Sequence, residues 1–201
     1  MTFTPRPEFI KEPPHTRHTF SLLALASSNC IRLYSFPLHI ISAFRRSLGE
    51  NAVAFREDVI NNFCEFALES KPWSSPKSIA TEALFLEILA VIYQHGYSFL
   101  SAINYGKEHD ESLALAFSIS ESSLSQSTSL LPSASPEASS LERVKTNPFA
   151  ISFVSATLLR VISPPLHSTP AILQAVRGSW PRGVVSEKKV RQACVLRLLV
   201  V

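Results

Sequence analysis

Glycine is nearly missing: five residues in a chain of 201. That leaves little bare backbone for loops that cradle phosphate. Neither a G-x-S-x-G elbow nor an H-E-x-x-H helix occurs. Cysteines are three, Cys30, Cys64 and Cys194, odd in number and far apart. This excludes a disulfide framework and a Cys-x-x-Cys zinc site, and points to a reducing compartment. Charge is thin, 17% of residues with a formal net +3, too little to indicate a nucleic-acid partner. Long apolar runs are also lacking. The densest, Ala83 to Tyr93, contains Glu87 and falls well short of the roughly 20 residues a membrane span needs. The stretch "FSLLALASS" from Phe20 lies behind Pro5, Pro7, Pro13 and Pro14, too deep and too short for a secretion signal. A soluble intracellular protein is expected, with neither membrane nor nucleic acid as partner.

What is present is a globular composition, 46% hydrophobic. Residues 1–16 read as a disordered leader. From residue 17 to 120 the pattern predicts one ββαββαββ unit. "TFSLLALA" and "CIRLYSF" alternate with a two-residue period and are joined by Ser27-Ser28-Asn29. A helix follows, with Ser35 as N-cap, Pro37 in its first turn and Gly49 as its stop. "NAVAFREDV" and "NNFCEFALES" predict a hairpin, with Cys64, Phe66 and Leu68 on one side. Ser75 or Ser78 caps a second helix to about His95, apolar around more than one stripe and so largely buried. Two more strands, "YSFLSAINY" and "SLALAFSIS", complete the unit. Residues 121–147 are Ser-rich with two prolines at Pro132 and Pro136, and read as a linker and a phosphorylation target.

The chain then repeats itself. Ala24–His39 and Ser152–His167 share six of sixteen residues, including Arg32 with Arg160, Ser35 with Ser163, and Pro37-Leu38-His39 with Pro165-Leu166-His167. After four extra residues in the second copy, Ser168 to Ala171, Ile40, Ala43, Arg45 and Ser47 meet Ile172, Ala175, Arg177 and Ser179. A strand, a proline-led helix and a turn recur in one order, which indicates a tandem duplication. Residues 148–201 therefore form a second, partial unit. Its end, "VRQACVLRLLVV", has lost the alternation and reads as an aberrant tail from about Val190, as from a shifted frame, a retained intron or an alternative splice. The expected fold class is α+β, an antiparallel sheet with two helices on one face, duplicated with an incomplete second copy. Docking of the partial unit on the first would extend its sheet by edge addition.

The segments "CIRLYSFPLHIISAFRRSL", "FCEFALESKPWSSPKS" and "FAISFVSATLLRVISPPLHSTPAILQAVRGSWPRGVVSEKKV" resemble a family of uncharacterised fungal proteins, mostly of mushroom-forming species, that carry two such units in tandem. The resemblance implies architecture and no activity. It also implies a complete second unit, from which this chain departs after Val190.

No catalytic, cofactor or metal constellation stands out. Cys64 in a strand reads as a buried structural thiol. His39 and His167, both after Pro-Leu at a helix start, read as local helix-terminal groups, and Glu57-Asp58 and Glu108–Glu111 as solvated turns. Between Pro170 and Val201 six basic residues face one acid, Glu187, which reads as a solvated face. The repeated arginines Arg32, Arg160, Arg45 and Arg177 are the best candidates for contacts with a partner's acids, beside a structural role with their stems covering the sheet. Trp73, in a turn after Pro72, is either a core cap or an exposed anchor. A non-enzymatic protein-interaction module with an unknown protein partner is expected. The alternatives are a small-ligand binder or enzyme with a pocket between the units, and a non-functional truncated isoform.

Overall fold

The computed structural model describes residues 17–104, 111–120, 148–180, 183–190 and 193–198. The expected leader, the Ser-rich linker and the acid turn at 108–110 lie outside the described residues.

Alternation builds the first hairpin. β1 (His18–Ala26) and β2 (Cys30–Tyr34) pair antiparallel, with Leu23 opposite Leu33 and Leu25 opposite Ile31. These four side chains share one face and are buried. Two hairpins join them: β3 (Ala52–Asp58) with β4 (Phe63–Leu68), and β5 (Ser98–Asn104) with β6 (Glu111–Ser120). The result is a six-stranded antiparallel sheet in the order β3-β4-β2-β1-β6-β5. The β3–β4 turn is held by Asp58, whose carboxylate accepts from the Asn61 backbone N–H and side-chain amide, both at 3.0 Å. Those bonds keep its carboxyl below its ordinary range.

Helices α1 (Leu38–Leu48) and α2 (Ile79–Gln94) cover the face that carries Leu23, Ile31, Leu33, Phe66 and Leu115. Ile40, Phe44 and Leu48 fall on one side of α1, and Ile88, Val91 and Ile92 line the matching side of α2. Burying each such side chain contributes about 1.5–3 kcal/mol. Of the two expected caps it is Ser78, not Ser75, that caps α2, accepting from the Thr81 N–H at 3.1 Å. Gly49 ends α1 at φ 51 and donates its N–H to the Arg45 carbonyl.

Ser35 is not the N-cap of α1. It sits in the left-handed region at φ 58, and the cap position belongs to Pro37. The Pro37 carbonyl accepts from the Ile40 and Ile41 N–H groups, so the first turn is closed without a side-chain cap. Ser163 repeats this backbone state at φ 49.

A second antiparallel sheet has the order β7-β8-β10-β9, built from β7 (Ala150–Ser155), β8 (Leu158–Ile162), β10 (Ala193–Leu198) and β9 (Val184–Val190). It has the same sequence of neighbours as β1-β2-β4-β3 in the first sheet. Residues 193–198, expected in an aberrant tail, pair with both β8 and β9. The likeness escapes sequence alignment because four residues separate β3 from β4 and only two separate β9 from β10. Once that difference is allowed for, Cys194 opposite Val161 takes the place of Cys64 opposite Leu33. Helix α3 (Thr169–Ser179) lies on the face that carries Leu159, Val161 and Leu196. His39 and His167 do not match in space: His39 is in the first turn of α1, whereas His167 lies in the turn before α3.

The His39 ring instead stands 5.7 Å from His95, whose Nδ1 is 2.8 Å from the Val91 carbonyl. Burial first, and then the neighbouring His95, push His39 below the ordinary histidine value of 6.5. A histidine whose folded pKa is depressed contributes stability that is present above its unfolded pKa and lost as pH falls through the folded value. An NMR titration of the His39 ring is therefore expected to give a midpoint below 6.5. His95→Gln should raise that midpoint only in part, since burial is the larger cause. A midpoint at or above the ordinary value would contradict the α1–α2 contact.

Candidate functional site

The five side chains singled out in the sequence do not converge on one site. Arg32 Nε donates to Glu65 Oε2 at 2.7 Å across the β2–β4 pair, and its guanidinium lies 5.3 Å from the Phe63 ring centre. Arg45 leaves α1 to stack on Phe55 of β3 at 4.4 Å. Arg177 of α3 makes the corresponding reach to β9, where its Nε donates to Glu187 Oε1 at 2.6 Å. Trp73 is half-buried: its Nε1–H donates to the Cys30 carbonyl at 2.9 Å, and its backbone N–H to Ser28 at 3.1 Å. It packs against the first core, as a cap does.

Arg160 differs from its counterpart. Arg32 faces Glu65 in the first sheet, but the residue opposite Arg160 is Val195. With no acid in its own ladder, Arg160 turns to α2. Its Nη1 donates to Glu82 Oε2 at 3.2 Å and to the Lys77 carbonyl, while Ser152 Oγ donates to Glu82 Oε1. Both ends of the ion pair are mostly buried, at 15% and 14% side-chain exposure. Around it, Ile79, Ala83 and Leu86 of α2 pack on Ala150, Ile162 and Ala193. These last residues lie on the face of the second sheet opposite α3. Helix α2 thus runs between two sheets, and the layers stack as sheet, helix pair, sheet, helix. The sequence marks Arg160 by its repetition. Nothing in the local pattern marks Glu82 as its partner, 78 residues away.

The α3 side of the second sheet is half covered. Ile151 and Phe153 of β7 stand where Leu23 and Leu25 stand in β1. The β1 residues are 0% and 7% exposed, whereas Ile151 is 45% and Phe153 71% exposed. In the first sheet β6 pairs with the outer edge of β1 and α2 lies above it. Among the described residues nothing pairs with the outer edge of β7. Beside α3 a cavity of about 990 Å³ opens, with Pro164, Leu173, Gln174, Arg177, Lys189 and Cys194 on its walls. Pro164 holds the position of Phe36, which in the first unit fills the core against Phe44, Tyr97 and Phe117.

Two of the three thiols have surroundings that disfavour the thiolate. Burial first, then the Glu65 carboxylate, push the Cys30 thiol up; burial and Glu57 do the same for Cys64. Among the described residues no three His, Cys, Asp or Glu side chains group as metal ligands, and no helix is long and apolar enough to cross a membrane. A domain-family model that names no activity matches residues 19–118, the stretch from β1 to β6. No curated protein and no solved structure matches the chain.

The seam between the sheets can be tested through its ion pair. Glu82→Ala leaves a buried guanidinium without its carboxylate and is expected to cost about 2–4 kcal/mol in urea unfolding. Adding Val195→Glu gives Arg160 the in-sheet acid that Arg32 has, and should recover part of that loss. No loss in the single variant, or no recovery in the double, would contradict this wiring.

Proposed function

We propose that this chain is a non-enzymatic protein-interaction module, made of two copies of one unit with the second copy lacking part of its cover. One observation carries the reading: two side chains that the first unit buries, at Leu23 and Leu25, are exposed as Ile151 and Phe153 on an edge strand of the second. A free strand edge flanked by apolar side chains is a receptor for another strand. Ladder hydrogen bonds supply affinity, and alternate side chains supply selectivity. The repeated arginines then hold the receptor together: Arg32, Arg45 and Arg177 brace strands and helices within their own units, and Arg160 ties the second sheet to α2. Free thiols at Cys30, Cys64 and Cys194 suit a reducing compartment.

A small-ligand reading is favoured by one feature, the cavity beside α3 with Arg177 and Lys189 on its wall. It ranks second because Arg177 already pairs with Glu187 and the cavity gathers no acid–base or nucleophilic set.

The strand that covers β1 offers a probe for the edge. A synthetic peptide of residues 111–120 added to the full chain should slow hydrogen exchange of β7 amides by tenfold or more. Phe153→Asp should abolish that protection while leaving exchange in β1 and β2 unchanged. In a chain that is monomeric, unaltered β7 exchange at millimolar peptide would overturn the edge-receptor reading.

A further inference from the structure

Four strands form the edges of the two sheets, and they are not alike. β3 carries Arg56, Glu57 and Asp58, and β9 carries Glu187, Lys188 and Lys189. Charges of this kind keep an edge from pairing with another chain. β5 and β7 carry none. β5 has a register break between Phe99 and Ser101, and its Phe99 rests 6.0 Å from Phe117 of its own unit. Among the described residues β7 has neither guard nor cover: from Pro148 to Leu159 twelve consecutive residues are uncharged, and Phe149, Ile151 and Phe153 are all exposed.

We propose that the occupant of the β7 edge is the β7 of a second copy of this chain, so that two four-stranded sheets join into one across a two-fold axis normal to the sheet. The first unit supplies the template. There the strand beside β1 is β6, antiparallel, placing Leu115 and Phe117 on the helix-covered face next to Leu23 and Ser21. A two-fold-related β7 is also antiparallel, as such an axis requires. It brings Ile151 and Phe153, an aliphatic and a phenylalanine, to the same face. An uncharged strand meets its own copy with no like charges opposed. The apolar groups left bare on each copy bury each other, and the unpaired ladder edge is satisfied on both.

This inference rests on β7 being a receptor edge, and the test separates the two. Sedimentation equilibrium of the full chain over a wide concentration range should show a monomer–dimer equilibrium. Phe153→Lys, at a position that is 71% exposed and so spared by the fold, opposes lysines across the axis and should weaken dimerisation at least tenfold. The milder Phe153→Ser should weaken it less, and Leu100→Lys on β5 should leave it unchanged. Circular dichroism confirms that each variant is folded. A chain that stays monomeric while the 111–120 peptide still protects β7 overturns self-pairing and leaves the receptor reading standing. A monomer with no peptide protection overturns both. A dimer indifferent to both Phe153 variants, or broken by Leu100→Lys, overturns the β7 seat.

Discussion

The whole arrangement depends on helix α2 having more apolar surface than one sheet can cover. Ile88, Val91 and Ile92 fill one side against the first sheet, while Ile79, Ala83 and Leu86 present a second apolar side. A helix apolar on two sides exposes one of them unless something else packs there. The second sheet supplies that cover with Ala150, Ile162 and Ala193. Of the polar groups within this packing, Glu82 is matched twice, by Ser152 and by Arg160, while the buried Arg160 Nε has no hydrogen-bond partner among the described residues. On its other flank, α2 steadies α1: Ser47 Oγ donates to Glu87 Oε1 at 2.9 Å, and His39 meets His95.

Small differences between like positions of the two sheets give them different contacts. Glu65 pairs with Arg32 within the first sheet at 2.7 Å. Valine in the same place, at Val195, releases Arg160 to the neighbouring layer. Phe55 receives Arg45 by stacking, and Glu187 receives Arg177 by an ion pair, so the same helix-to-strand brace survives a change of chemistry. Phe36 closes the first core, whereas Pro164 leaves a cavity beside α3. The first half therefore reads as a finished core. The second reads as a half-finished one whose bare strand faces outward.

Much of this was legible because local chemistry decided it. Period-two alternation placed β1, β2, β4 and β6, and Ser78 and Gly49 marked helix ends that the fold uses. The burial of Cys64 followed from its neighbours in sequence, whereas Trp73 was open between core cap and exposed anchor until its Nε1–H was placed on the Cys30 carbonyl. Three features were hidden for physical reasons. Ser35 looks like an N-cap, but a left-handed turn before Pro37 takes that job away. β10 was masked by a hairpin loop two residues shorter than its counterpart, which throws the alignment out of step. The Glu82–Arg160 pair spans two layers, and a contact made by packing leaves no periodic trace along the chain.

The most direct measurement is a methyl-resolved NMR experiment on the full chain, looking for nuclear Overhauser contacts between Leu86 of α2 and Ile162 of β8. Strong cross-peaks between these methyl groups, with residues 79–94 and 158–162 tumbling at one common rate, are the expected result. Ile162 showing contacts only within its own sheet, with the two sheets tumbling independently, would contradict the sandwiching of α2 and every functional consequence drawn from it.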